Sequence, residues 1–541
     1  MKKHNTVKVV LITILVFLLL SWILPAAYYS GQYVDQGRVQ MGLYELFNYP
    51  LTALSYFGYI ALFILFIGGF YGILYKIPAY RAFLDKIVSF FAGKEKIFLA
   101  IISVLLAVGV SICGLQIAFA VFIPFIVALI LLMGYDKIVA AMIVVGSMAA
   151  GLIGSTYAYA NMNVITSALS LNLDYQIGVR FVILVVGIVL VLFNTFVYIK
   201  KYMKITKPLL KIDKEVKVEV DIEKKAPATK TSAKKSTSKA GAKKSTSKGS
   251  KTTKKTKSTK SKSSKNVNKA ALKDNSIIVV KESIVDDNDD YLIPGKEGSI
   301  HKIWPFVAGF ALMFVLMILA FITWGENGFK VSLWDDVTKA VMEFKIFKFP
   351  IFSKIYGTMN AFGTWTLVDL FLPIALLTLI LIIIYKVKLD DIFDGFATGV
   401  RKALTPAFIV ILVYTCLVLV TYHPFQLTIY KALLGISKRY NTITTTISFI
   451  LASVFNSDIS YVAQSVVPYY TSIVTNTDKY PLVGVIFQSI YGLTSLFAPT
   501  SLILMGTLAF LNVSYKDWLK NIWKLLLELL VVLLIVFIIL A

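Results

Sequence analysis

The chain has 541 residues, 57% of them hydrophobic and only 16% charged, with a mean hydropathy of +0.75. A water-soluble fold of this size cannot hide so much apolar surface, so the class is an all-α polytopic membrane protein. Two cysteines and three histidines lie far apart and give neither a disulfide framework nor metal-ligand spacing, and no Walker A loop supports ATP-driven chemistry.

The first apolar run, Val9–Tyr28, follows Lys2, Lys3 and Lys8; it is too long for a signal peptide and reads as an outward crossing. Leu54–Tyr75 returns to a basic cytoplasmic stretch carrying Lys76, Arg81, Lys86, Lys94 and Lys96. Residues 97–133 read as a re-entrant hairpin broken at SICGLQ (Ser111–Gln116). Residues 138–171 read as an outward helix interrupted by GSTYAYANMN (Gly154–Asn163), and Phe181–Tyr198 comes back. Residues 1–203 thus form a first membrane repeat with both ends inside.

Residues 204–300 are a Lys/Ser/Thr-rich linker. Lys224–Lys273 alone holds 18 lysines, which leaves about +7 of the net +25 for the rest of the chain, and KKSTSK occurs twice. Such a composition buries too little to offset its conformational entropy, so a disordered cytoplasmic linker is expected. It is a solvated spacer or a binder of anionic lipid headgroups; without interleaved aromatics, nucleic acid is a poor partner.

Residues 301–541 form a second repeat. Ile303–Trp324 goes out, an amphipathic external segment follows at Val331–Phe349, and Thr366–Tyr385 returns. Lys386–Lys402 reads as a cytoplasmic amphipathic stretch and Thr405–Thr421 as an outward span. A second hairpin at 442–474 is broken at FNSDIS (Phe455–Ser460), and 481–511 is a helix broken at SLFAPTS (Ser495–Ser501). Leu525–Leu540 then leaves the C-terminus outside. The total is nine crossings plus two hairpins, a multi-pass cell-membrane protein, with Lys431, Lys438 and Arg439 as basic misfits on the outer side.

In each half a hairpin precedes a broken helix and then a clean one, and the two hairpins enter from opposite faces. This is the pattern of inverted repeats whose interrupted helices meet near the midplane to form a binding site. Unwound backbone survives in a bilayer only where protein or a wet cavity shelters it. The candidate substrate- and ion-binding residues are therefore Gln116, Ser155, Thr156, Asn161, Asn163, Asn456, Ser457, Asp458, Ser460, Ser495, Thr500 and Ser501. Oxygens of Ser155, Thr156, Asn161, Ser495 and Thr500 suit Na⁺, and half-helix N-termini suit a carboxylate. The coupling ion is Na⁺ or H⁺; no cofactor or catalytic residue is expected. Each break also has a structural reading: close helix packing for the first broken helix, a surface loop for FNSDIS, a proline kink for SLFAPTS. Gly151, Gly154 and Gly492 read as packing glycines, Asp136 and Asp394 as interfacial caps or salt-bridge partners. Asp369 fits the outer interface or proton coupling.

The stretches MGYDKIVAAMIVVGSMAAGLIG, DIFDGFATGVRKAL and APTSLILMGTLAFLNVSYKDWLKNIWKL resemble the YfcC-like permeases of the ion transporter superfamily. That family was named for four-carbon dicarboxylate carriage and includes basic amino acid antiporters. The resemblance implies a scaffold and a mobile transport domain, a homodimer and elevator-type alternating access. It places the polar hairpin tips and breaks at Gly114–Gln116, Ser155–Asn163, Ser457–Ser460 and Ser495–Ser501. The family's glutamate pair is missing from Ser111–Pro124, and its Ser-Gly-Ser-Gly tip here reads Ser-Asp-Ile-Ser.

The sequence therefore leads to a secondary transporter of a small carboxylated solute, an amino acid such as arginine or ornithine first and a four-carbon dicarboxylate second. A membrane enzyme lacks any supporting residue cluster. A non-transporting interaction protein using the basic linker is the remaining alternative.

Overall fold

In the computed structural model the described residues are 5–223, 292–294, 302–325, 328–355, 357–436, 440–456 and 458–541. The chain divides into two units, residues 1–201 with 287–541, and residues 202–286. The lysine-rich core of the linker, Ser457, Lys438 and Arg439 lie outside the described residues. Of the second unit, the backbone of 202–223 is helical, the continuation of the Ile177–Glu223 helix.

The first unit is almost wholly helical, and eight of its helices are long and apolar enough to cross a bilayer. Seven coincide with the unbroken crossings read from sequence. The eighth, Glu95–Cys113, is the first arm of the first hairpin; its 19 residues rise about 28 Å, a full bilayer's worth. The second arm is shorter, a 3₁₀ segment Gln116–Phe122 running into the helix Ile123–Leu132.

Three boundaries differ from the sequence reading. The first span ends at Ile23, and Ala26–Tyr29 pairs antiparallel with Tyr33–Gly37, so Tyr28 belongs to a small hairpin. Pro25 has no N–H to continue the helix. The second crossing starts earlier, at Leu43, and runs 33 residues through Pro50. Most consequential, the amphipathic stretch and the following span fuse into one 34-residue helix, Leu389–Tyr422.

That fused helix pairs along its length with Leu43–Tyr75. The seam is a small-xxx-small pattern on both partners, Gly68 and Gly72 against Gly395 and Gly399. A Cβ on Gly72 would run into the Gly395 carbonyl oxygen, and one on Gly399 into that of Gly68. Glycine here lets two backbones touch. One end of the seam is closed by the Lys76–Asp394 ion pair at 2.5 Å, the salt-bridge role read for Asp394.

The other interfacial acids also serve local structure. Asp136 caps the helix Lys137–Ile153 through Val139 N–H (2.9 Å) and accepts from the Tyr198 hydroxyl (2.6 Å). Burial lifts its carboxyl above the ordinary range, partly offset by those hydrogen bonds. Asp369 is exposed and accepts from Thr366 N–H and Oγ1 at 2.7 and 2.8 Å. Lys431 lies over the Tyr33 ring, 3.6 Å from its centroid.

Candidate functional site

All four interruptions are non-helical links between two helical segments. At the first hairpin tip Gly114 takes φ +80, which favours glycine, and a Cβ there would press on Ala158 and Asn161. Asn161 Nδ2 donates to the Gly114 carbonyl at 2.5 Å, which leaves its amide oxygen for other partners.

The first broken helix stops at Ile153 and resumes at Tyr159. The main chain between is tied to the hairpin: Thr156 N–H donates to the Ser111 carbonyl (2.9 Å), and Ser111 Oγ donates to the Gly154 carbonyl (2.8 Å). The freed carbonyls are gathered by Arg180, which is fully buried. Its Nε donates to Ser155 O (2.7 Å), its Nη2 to Thr156 O, and its Nη1 to Leu173 O and Tyr175 O at 2.7 and 2.9 Å. Gln488 Nε2 adds a second bond to Ser155 O (2.9 Å), and Ser489 Oγ one to Ile153 O (2.9 Å). Unwound backbone is thus paid for by a guanidinium and an amide from neighbouring helices.

The second hairpin turns through Asn456, whose backbone is extended at φ −144. Asn456 Oδ1 accepts from Asp458 N–H, and Asp458 Oδ1 caps the helix Ile459–Ile473 through Tyr461 N–H, both at 2.9 Å. In the second broken helix, Tyr480–Thr494 stops and Leu502–Leu511 starts. Thr500 Oγ1 donates across to Val454 O of the second hairpin (2.7 Å). The freed carbonyls of Leu496 and Phe497 accept from Trp518 Nε1 (2.8 Å) and the Tyr515 hydroxyl.

The four links meet at one cavity of ≈ 140 Å³. Gly114, Leu115 and Gln116 line it from the first hairpin, and Asn161 from the first broken helix. Ser453, Asn456 and Asp458 line it from the second hairpin, and Thr494, Ser495, Thr500 and Ser501 from the second broken helix; Tyr414 and Tyr491 complete the wall. Among the described lining residues Asp458 is the acid and there is no basic side chain. Three α-helices begin at this wall, at Tyr159, Ile459 and Leu502, so their positive ends face inward. Two buried groups on the wall have no hydrogen-bond partner: Asn456 Nδ2 and Ser453 Oγ.

Of the residues singled out in sequence, Gln116, Asn161, Asn456, Asp458, Ser495, Thr500 and Ser501 come together here. Ser155, Thr156, Asn163 and Ser460 do not line the cavity, and Ser457 lies outside the described residues. The proposed Na⁺ set is accordingly split: Thr156 spends its hydroxyl on Ser111 (3.2 Å to the carbonyl), while Ser155 is enclosed behind Arg180 and Gln488. Gly151, Gly154 and Gly492 are packing glycines, pressed against Ala107, Leu184 and Ile153. Arg180 and Gln488 went unnoticed in the sequence, although an ionisable or amide side chain within an apolar run was the available signal.

A family model described as C4-dicarboxylate anaerobic carrier (DcuC) matches residues 4–243 and 296–541, nearly the whole chain. The chain belongs to that carrier family. This sets it among membrane transporters, as the multi-pass architecture requires. An uncharacterized protein of Haemophilus influenzae is 28% identical over 142 residues, which is 26% of this chain and 28% of that protein. The chain thus covers little more than a quarter of that relative's length. No solved structure matches this member of the carrier family.

Proposed function

We propose that the chain is a cation-coupled secondary carrier of C4-dicarboxylates, with the substrate held in the cavity where the four links meet. The observation that carries this reading is the pairing of inward-facing helix N-termini with Asn456 Nδ2, a buried donor without an acceptor. A carboxylate is the ligand such a wall lacks. The family description favours the dicarboxylate over the amino acid preferred from sequence.

Charge arithmetic supports coupling. Three helix ends supply roughly +1.5, against about −3 for a dicarboxylate together with an ionised Asp458. In a low-dielectric chamber the deficit is relieved by one or two cations entering with the substrate. Oxygens of Asn161, Ser495, Thr500 and Asp458 are the Na⁺ ligands in this reading, with H⁺ as the alternative cation. Elevator-type movement of the hairpins in a homodimer, the linker on the cytoplasmic side and its attraction to anionic headgroups complete the proposal.

Asp458 is the one observation that favours a second reading, an amino acid whose ammonium would pair with it. Uptake into proteoliposomes separates the two. Labelled succinate should accumulate on an inward Na⁺ or H⁺ gradient and be displaced by other four-carbon diacids. Accumulation of arginine instead, indifferent to succinate, would overturn the dicarboxylate assignment.

A further inference from the structure

A second, larger cavity of ≈ 400 Å³ lies apart from the central one and shares no lining residue with it. Tyr28 and Tyr29 of the small β-hairpin, Tyr422 at the end of the long Leu389–Tyr422 helix, and Tyr461 of the second re-entrant hairpin supply aromatic walls. Gln464 is exposed at the mouth, whereas Gln426 is 4% exposed. The Gln426 carboxamide nitrogen has no hydrogen-bond partner. No charged side chain lines the cavity.

Each feature narrows the ligand. A buried N–H without an acceptor costs stability unless a guest accepts from it. Without charge on the wall, neither a carboxylate nor an ammonium gains enough to leave water. Flat phenol rings beside carboxamides suit a molecule with C–H faces and a rim of hydroxyls.

We propose that this cavity is a binding site for a neutral polyhydroxylated ring, a hexose either free in solution or borne as a glycolipid headgroup. The guest would touch strand Ala26–Tyr29 and the Leu389–Tyr422 helix on one side and the second hairpin on the other. Since Tyr461 is three residues from Asp458, an occupant ties the hairpin tip to its surroundings and slows its movement. That last consequence rests on the carrier reading; binding does not.

The test uses the full-length protein in a polyoxyethylene detergent, whose headgroup carries no sugar. Labelled glucose should bind saturably, and Gln426→Leu, Gln464→Ala and Tyr422→Ala should each weaken binding about tenfold or more while the protein still melts cooperatively. Gln464 and Tyr422 are exposed, so these two variants keep the test open if Gln426→Leu does not fold. A parallel arm compares vesicles with and without monoglucosyl diacylglycerol. A rise in melting midpoint there, lost in the same variants and without binding of free glucose, assigns the site to the lipid-borne sugar. The proposal is overturned if neither source binds saturably, if binding survives in every folded variant, or if succinate displaces the sugar. Failure of succinate transport with intact sugar binding would count against the carrier reading alone.

Discussion

Arg180 and Trp518 stand at the same place in the two halves: each is the fourth residue of the clean helix after a break, and each donates to a carbonyl that the break set free. The two repeats solve one problem with different chemistry. A guanidinium serves several acceptors in the first half; an indole and a phenol serve one each in the second.

Removing the guanidinium should therefore cost more than removing the indole N–H. Arg180→Ala leaves two or more buried carbonyls unpaired, a loss of about 3 kcal/mol or more. Arg180→Lys recovers little, since an ammonium cannot reach acceptors on two segments at once. Trp518→Phe keeps the ring and loses one bond, about 1–2 kcal/mol. Melting midpoints in detergent check the order; equal midpoints for all three would mean the carbonyls find water instead.

Asp458 does two jobs that substitution can separate. Asn is as good an N-cap, so Asp458→Asn should hold stability within about 0.5 kcal/mol, while Asp458→Ala loses about 1 kcal/mol. Both remove the carboxylate, so both should flatten the cation dependence of uptake. If Asp458→Asn transports with unchanged cation dependence, the residue is only a cap.

Asn456→Ala deletes the unpartnered donor. The half-saturation concentration for a dicarboxylate should rise about tenfold to a hundredfold, the worth of one hydrogen bond to a charged acceptor. Stability should hold or improve, because the unmet cost of burying that amide disappears. Uptake titrations beside melting curves distinguish this outcome from misfolding.

The glycine seam makes a contrast within one residue type. Gly72→Ala or Gly399→Ala forces apart two touching backbones and should cost about 1–3 kcal/mol. Gly506 has nothing within 4 Å of its absent Cβ, so Gly506→Ala should be neutral or stabilise by up to about 1 kcal/mol. A melt of the three variants decides it.

The breaks were legible in the sequence because serine, threonine, asparagine and glycine interrupt runs that are otherwise apolar, and lipid tolerates such interruptions only under shelter. What shelters them was not legible. Arg180 sits at the edge of the run beginning Phe181, and nothing local ties it to Ser155, 25 residues earlier. The same limit explains Thr156: a hydroxyl at a break looks like a ligand until Ser111 on another element is known to take it. The long helix Leu389–Tyr422 escaped notice for a different reason. Its charged first turns read as interfacial, and only the partner helix across the glycine seam shows that they continue the span.

Because the central chamber draws its attraction for anions from peptide dipoles at three helix starts, its preference is written in the main chain rather than in any one side group. Tip residues can then be exchanged, as the Ser-Asp-Ile-Ser sequence illustrates, without reversing the polarity of the compartment. A scaffold of this kind can acquire a new cargo by a single replacement while its taste for acids persists.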